Sequence, residues 1–475
     1  MSIKIELHIC KTSKDRASGP AWSTADKKRK AVVWGCAHFQ IIQGLHMRQL
    51  EEQCAENIFM APRYAPSLRS RLAPLLLFLQ LGFIVIYAFY TEIQSGVKVD
   101  GKTLSNIYPV FQDVNVMVIL GFGFLGTFLV RYSFSASAFN LLVAVMATQW
   151  AIILNGIEPY NRKIRLDLRS LVDAEMCTAS ALISIGAVLG KTNPVHLILI
   201  SLLEVFGFIL NKWVIQTLLG TLPLNSIMLL HIFGAFFGLT LTWVLYRKGS
   251  EQRFEKEKSD RKTGLFSMLG TLFIWMFWPS FNSILVDDRI PVRKLEAVCS
   301  TYLALAVSAV TAAAVSLLSS PKGKLNLTHM QSCILAGGVA VGVSISVVHQ
   351  PWEAMIIGFI AAVVSTIGHR YLKIHMLLAF QCHDTCAVLS THGLPGLLGW
   401  LAHLILLIKD CDDHTTAIRF AVFHICTLLS TIALSLSMGL ITGLLLKWNF
   451  LRPPQDRKCF DDQAFWEFPH VTLCK

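Results

Sequence analysis

Residues 224–246 read LNSIMLLHIFGAFFGLTLTWVLY. The stretch holds no aspartate, glutamate, lysine or arginine, and His231 stands near its middle. About 20 apolar residues cross the hydrocarbon of a bilayer as a helix. Lipid offers no partner to an unpaired peptide group, so a helix that satisfies its own backbone is the expected form. Similar stretches recur on both sides, giving twelve expected spans: 72–90, 113–131, 134–154, 172–190, 194–214, 224–246, 264–285, 295–318, 328–348, 352–369, 384–408 and 417–447, the fourth and tenth being the weakest. No barrel-like alternation competes with this reading. The expected class is all-α, a polytopic membrane protein of twelve transmembrane helices in the lipid bilayer.

Composition agrees. Of 475 residues, 54% are hydrophobic and 15% charged, with mean hydropathy +0.55. Such values exclude a disordered chain, a collagen-like repeat and an ordinary cytosolic enzyme. The 12 cysteines are scattered with no CxxC pair, so neither a zinc ribbon nor a small disulfide scaffold is indicated. The net charge of +12 fits basic loops beside an anionic leaflet better than a nucleic-acid partner.

Residues 1–59 contain no apolar run long enough to span and carry the solvated run Lys27, Lys28, Arg29, Lys30. They read as a disordered N-terminal extension, and Met60 opens a second, shorter start. The expected organisation is therefore the extension 1–59, a membrane domain 60–449 and a cytoplasmic tail 450–475. Loop charge orients the spans. Arg247, Lys248, Arg253, Lys256, Lys258, Arg261 and Lys262 follow the sixth, Lys322 and Lys324 the eighth, Arg370 and Lys373 the tenth. The positive-inside rule puts these loops and both termini in the cytoplasm. Arg162, Lys163, Arg165 and Arg169 after the third span run against it. The sequon Asn326-Leu327-Thr328 falls on the cytoplasmic side and is expected to be silent.

Ionisable residues inside the expected spans are few, among them Asp173, Glu175, Glu204, Lys212, His231, Asp384, His392, His403 and His424. Burying them in hydrocarbon is expensive, which makes each a candidate for function. No HExxH, GxSxG or P-loop is present, so no enzyme, metal or cofactor is indicated. His231 and His392 share a context, HIFGAFFG (231–238) and HGLPGLLG (392–399), each with a small residue at +4 and glycine at +7. On a helix those positions lie on the histidine's own face and let a neighbouring backbone approach. The two histidines fall five spans apart, as two five-helix repeats would place them. Two readings stay open: a pair lining a pore, or two separately satisfied core histidines. The block Trp275–Asn282 (WMFWPSFN) reads either as a constriction or as a kinked packing helix.

From Met60 onward the chain resembles the Rhesus (Rh) proteins of the ammonium transporter superfamily. The resemblance is carried by Gly121–Phe128 (GFGFLGTF), Gly186–Lys191 (GAVLGK), Trp275–Ser283 (WMFWPSFNS), Leu335–Gly342 (LAGGVAVG), Asp384–Cys386 (DTC) and His392–Pro395 (HGLP). The tail Phe460–His470 and the start Met60–Tyr64 resemble the blood-group branch, the Rh(D/CE) polypeptides, and so does a first outer loop without a sequon. The resemblance implies the ammonium-transporter fold, with two inverted five-helix repeats plus one extra N-terminal helix. It also implies a trimer, homomeric or formed with an Rh-associated glycoprotein, with ammonia or ammonium as substrate in each subunit's narrow pore. By the same resemblance the location is the plasma membrane, of red cells in this branch, with a cytoskeletal adaptor as a partner of the tail.

On the family's motif positions, His231 and His392 become the pore histidines, Phe281 the inner gate ring, and Asp384 the aspartate eight residues before the second histidine. Four positions depart from the transporting pattern. Pro223 stands where an acid is expected, Met176 replaces the outer gate phenylalanine, Lys212 replaces a vestibule glutamate, and Glu175 replaces an aspartate. Lys212 is expected to repel NH4+ near the outer mouth and so weaken its recruitment. Two neutral imidazoles sharing one hydrogen bond could pass NH3, which is far cheaper to desolvate than NH4+. The expected function is a passive ammonia/ammonium channel; the alternative is a non-conducting structural subunit that complexes with an Rh-associated glycoprotein and couples the membrane to the cytoskeleton.

Overall fold

The computed structural model describes residues 68–93, 101–157, 163–247, 256–286, 290–411, 413–451 and 459–467, and Tyr64–Trp466 forms one compact unit. The extension 1–59 and most of the tail 450–475 lie outside the described residues. Among the described residues, twelve helices are long and apolar enough to cross a membrane: α1 Leu68–Tyr90, α2 Ile107–Phe128, α3 Ser133–Asn155, α4 Leu168–Val188, α5 Pro194–Leu219, α6 Pro223–Val244, α7 Arg261–Ser283, α8 Pro291–Ser319, α9 Leu327–Ser344, α10 Pro351–Phe380, α11 Leu389–Lys409 and α12 His414–Leu446. They overlie the twelve expected stretches. Two three-residue strands, β1 Thr91–Ile93 and β2 Ile164–Leu166, pair in parallel.

The helices begin where the sequence supplies the chemistry for a start. Asp167, Asn193, Asp260 and Asp413 each accept a hydrogen bond from a first-turn amide of α4, α5, α7 and α12, satisfying donors that a helix leaves open. Pro194, Pro223, Pro291 and Pro351 sit in first turns, where the missing N–H costs nothing. Pro223, the departure from the expected acid, thus acts as the start of α6.

The connections after α2, α4, α6 and α10 meet at one face together with residues 459–466. Val130 N donates to Lys258 O at 2.9 Å and Phe460 N to Gly190 O at 2.8 Å. His383 Nε2 lies 2.9 Å from Glu257. The connections after α1 and α3 pair at the opposite face through β1 and β2, with Lys163 3.7 Å from Glu92. The basic loop after α3 is therefore on the opposite face from the tail. Asn326 of the sequon accepts hydrogen bonds from both N and Oγ1 of Thr328 at the start of α9.

α4 packs on α6, and α9 packs on α11. Both contacts rest on the +7 glycines. A Cβ on Gly238 would sit 2.8 Å from Ser184 O, and one on Gly399 would overlap Ala340 O. The pairs α4/α6 and α9/α11 are displaced by five spans. An odd displacement reverses the direction of travel through the membrane, so the two halves are inverted relative to each other. α1 lies outside them on α3, through Phe83 on Trp150 and Tyr87 Oη donating to Gln149 O.

Span eleven starts later than the composition suggests. Residues 381–387 leave the regular helix, with Gln381 and Ala387 at positive φ (54° and 55°). Asp384 is thus outside the span, not within it. It accepts from the Leu389 amide at 3.0 Å and so caps α11.

Candidate functional site

His231 follows a break in α6. Residues 223–228 and 230–244 are regular helix, and Leu229 between them is a turn. His392 sits in a widened turn, Leu389–Gly393, at the start of α11. Such interruptions of the i→i−4 ladder recur at functional positions. They bring the two imidazoles together in the interior, 1% and 5% exposed. Their ring centroids are 5.3 Å apart and the planes 14° from parallel.

Further rings extend the pair. Trp278 and Phe281 of α7 lie 5.9 and 6.4 Å from His231, and Phe122 of α2 lies 6.5 Å from His392. Trp278 and Phe281 are fully buried. Four helices, two from each inverted half, thus build one aromatic column with imidazoles at its centre. Phe122 was not singled out by sequence reasoning, although it lies inside GFGFLGTF.

Among the described residues, Nδ1 and Nε2 of His231 and Nδ1 of His392 are buried with no hydrogen-bond partner. The two ring planes lie nearly parallel, and the rings do not share the hydrogen bond expected of them. Their polar atoms stay available to a third group. Unpaired buried polar atoms cost free energy. A cavity of about 60 Å³ reaches His392, walled by Phe122, Leu182, Gly186 and Val388. A second, of about 160 Å³, is lined by Glu257, His369 and Lys373 and shares the walls Leu125, Ser332 and Cys386 with the first.

The face shared with the tail carries a fixed set of charges. Lys191 Nζ donates to Ala187 O at 2.6 Å and Thr242 Oγ1 at 3.0 Å, and lies 3.2 Å from His383 Nδ1. Burial pushes the Lys191 ammonium down to about 8, against the pull of Glu257 and Asp384. Burial also works against the Glu257 carboxylate, but the hydrogen bond from His383 and the charge of Lys373 hold it below the usual carboxylate range. Burial and Lys191 lower His383, so the neutral ring donates to Glu257 and accepts from Lys191.

Lys212 differs from its expected part as a free charge. Its Nζ lies 2.8 Å from both carboxylate oxygens of Asp173 and the residue is only 8% exposed. The ion pair neutralises the repulsion attributed to it. Met176 is fully buried in the main core of the chain, and Glu175 is buried with Oε2 unpartnered among the described residues. Asp384 stays near the end of the column that faces the tail, as a helix cap. The structure brings His231, His392 and Phe281 together and leaves Lys212 and Asp384 to structural partners.

The sequence profile of the Ammonium Transporter Family matches residues 73–462. The chain belongs to the ammonium transporter family. Its place is in the Rh-type group of that family. The ammonium transporter Rh type A of Bos taurus is 39% identical over 404 residues, covering 82% of this chain and 93% of the relative. The RH-like protein of Macaca mulatta is 40% identical over 421 residues, 87% and 100% of the two chains. Among solved structures, the Rh50 protein of Nitrosomonas europaea, described with the Rhesus protein family of channels, shares 28% identity at a TM-score of 0.67, covering 79% of this chain and 94% of that one. In this Rh-type chain the histidine pair thus lies within the region matched by the family profile.

Proposed function

We propose that this Rh-type protein is a passive channel for ammonia and ammonium in the plasma membrane, working as a trimer with both termini in the cytoplasm. The observation that carries the proposal is the buried imidazole pair with three unpartnered ring nitrogens. NH4+ is costly to strip of water, whereas NH3 is small and neutral. The unpaired nitrogens offer NH3 a donor or an acceptor according to tautomer. The rings of Trp278, Phe281 and Phe122 leave no counter-charge for an ion. Such a constriction favours the neutral species, and the gradient alone drives flow. His231, His392 and Phe281 line the narrow part, with Trp278 and Phe122 added to them; Met176 and Glu175 stand toward its other end.

A second reading is favoured by one observation. Met176, at the position of the family's outer gate ring, is fully packed into the core. Together with the tail's likeness to the blood-group branch, it supports a non-conducting subunit of a heterotrimer with an Rh-associated glycoprotein. Reconstitution separates the two. Under the channel reading, proteoliposomes given an inward ammonium gradient alkalinise faster than protein-free vesicles, and the excess scales with protein. Equal rates would leave the structural-subunit reading standing.

A further inference from the structure

Glu204 of α5 is fully buried, as are Ser180 of α4 and Leu230 of α6, and the three meet at one point. Ser180 Oγ lies 2.5 Å from Glu204 Oε1 and 3.1 Å from Leu230 O. The hydrogens can be counted. A peptide oxygen only accepts, an ionised carboxylate only accepts, and a serine hydroxyl carries one hydrogen. With Glu204 ionised, that hydrogen serves one neighbour and the other oxygen–oxygen contact holds none. With a proton on Oε1 the chain closes: Glu204 donates to Ser180 Oγ, and Ser180 donates to Leu230 O. A separation of 2.5 Å is within the O–H···O range. Oε2, unpartnered among the described residues, is then the carbonyl oxygen of a neutral acid, far cheaper to leave in an apolar interior than half of an anion.

No cation offers an alternative. Lys212, two turns further along α5, is held by Asp173. Glu175 and Cys177 on α4 are not cations, and among the described residues no lysine, arginine or histidine hydrogen-bonds Glu204. We infer that Glu204 is a protonated carboxylic acid at neutral pH, and that the Glu204–Ser180 chain is a positioning device for His231. Leu230 directly precedes His231 and directly follows the break at Leu229. The hydrogen bond from Ser180 adds a tie from a neighbouring helix at this point. Ser184 Oγ, donating to Gly234 O at 2.8 Å, fixes the next turn of α6 in the same way.

The inference rests on the reading of His231 as a contact for the permeating species, and its test keeps the two apart. An infrared difference spectrum between the wild type and Glu204→Gln, both folded at neutral pH, should show the C=O stretch of a protonated carboxyl present only in the wild type. Glu204→Gln should keep near-parental ammonia flux, because the amide N–H still donates to Ser180. Glu204→Leu should lower flux about tenfold at unchanged trimer content, the scale of one lost positioning hydrogen bond. Absence of the protonated-carboxyl band, or Glu204→Gln conducting as poorly as Glu204→Leu, would overturn the inference; the band is read from the difference between wild type and Glu204→Gln even should Glu204→Leu fail to fold. Parental flux in His231→Phe with the band intact would instead sink the pore reading alone.

Discussion

An imidazole buried with both nitrogens unpaired is a cost that packing by itself gives no reason to bear. His231 bears it, and His392 bears half of it. His196 in α5 carries the same mark singly, so it is the meeting of two such rings, 5.3 Å apart, that supports the proposed permeation site. The shared HxxxGxxG-like context made both histidines legible in the sequence, because small residues at +4 and +7 predict a close backbone neighbour. Phe122 was not legible, since nothing in a run of glycine and phenylalanine says which ring meets which partner. The pairing of Lys212 was not legible for a related reason. Its partner Asp173 lies 39 residues earlier on an adjacent helix, a separation that has no local signature. The ion pair changes what a mutation should do. Lys212→Met strands a partly buried carboxylate and should destabilise the protein by on the order of 3 kcal/mol, while the double change Lys212→Met with Asp173→Asn should recover most of that loss. Thermal melts of the three proteins check this; equal stability of single and double variants would show that the pair is not the reason for the residue.

At the scale of elements, twelve spans could be read from composition because each helix in lipid must satisfy its own backbone, which demands an uninterrupted apolar run. The interruptions were not readable. Hydropathy does not report the left-handed residues Gln381 and Ala387 that delay the start of α11 and leave Asp384 as its cap, nor the break at Leu229. The inverted arrangement rests on glycine contacts that can be tested. Gly399→Ala would drive a methyl into the Ala340 carbonyl, and Gly234→Ala would place one 2.6 Å from Ser180 O. Backbone cannot yield as a flexible side chain does, so each should cost about 1–3 kcal/mol. By contrast, Gly82→Ala meets nothing within 4 Å and should melt with the wild type. A flat result across all three, read by thermal unfolding in detergent, would remove the close-packing account of these faces.

Across the whole molecule, one face is tied together by the tail and the connections after α2, α4, α6 and α10. Asp462 accepts from the amides of Phe134 and Ser135 at 3.0 and 2.8 Å, capping α3 from far along the chain, and Asp461 pairs with Arg131 at 2.6 Å. Gly190, at φ 78°, makes the turn against which Phe460 packs, which gives the GAVLGK block a physical reason. Asp462→Ala should cost about 1 kcal/mol, the usual loss of a cap, and should expose the tail to limited proteolysis earlier than in the parent. Glu257 gives the same face a pH dependence. Its folded-state pKa lies below the ordinary carboxylate value, so its contribution is present above about pH 4.3 and fades as pH falls through the lower folded value. The melting temperature should therefore fall more steeply on acidification in the wild type than in Glu257→Gln; parallel curves would show that the Glu257–His383–Lys373 contacts add nothing to stability.

The central claim is that the stacked histidines are the point through which ammonia passes, and the most direct measurement is ammonia flux in proteoliposomes carrying the double variant His231→Phe, His392→Phe. Phenylalanine keeps a ring of similar size and removes every ring nitrogen. The account predicts a protein that is made and assembled in parental amounts, with flux reduced to that of protein-free vesicles. A correctly assembled double variant that conducts ammonia at the parental rate would contradict it.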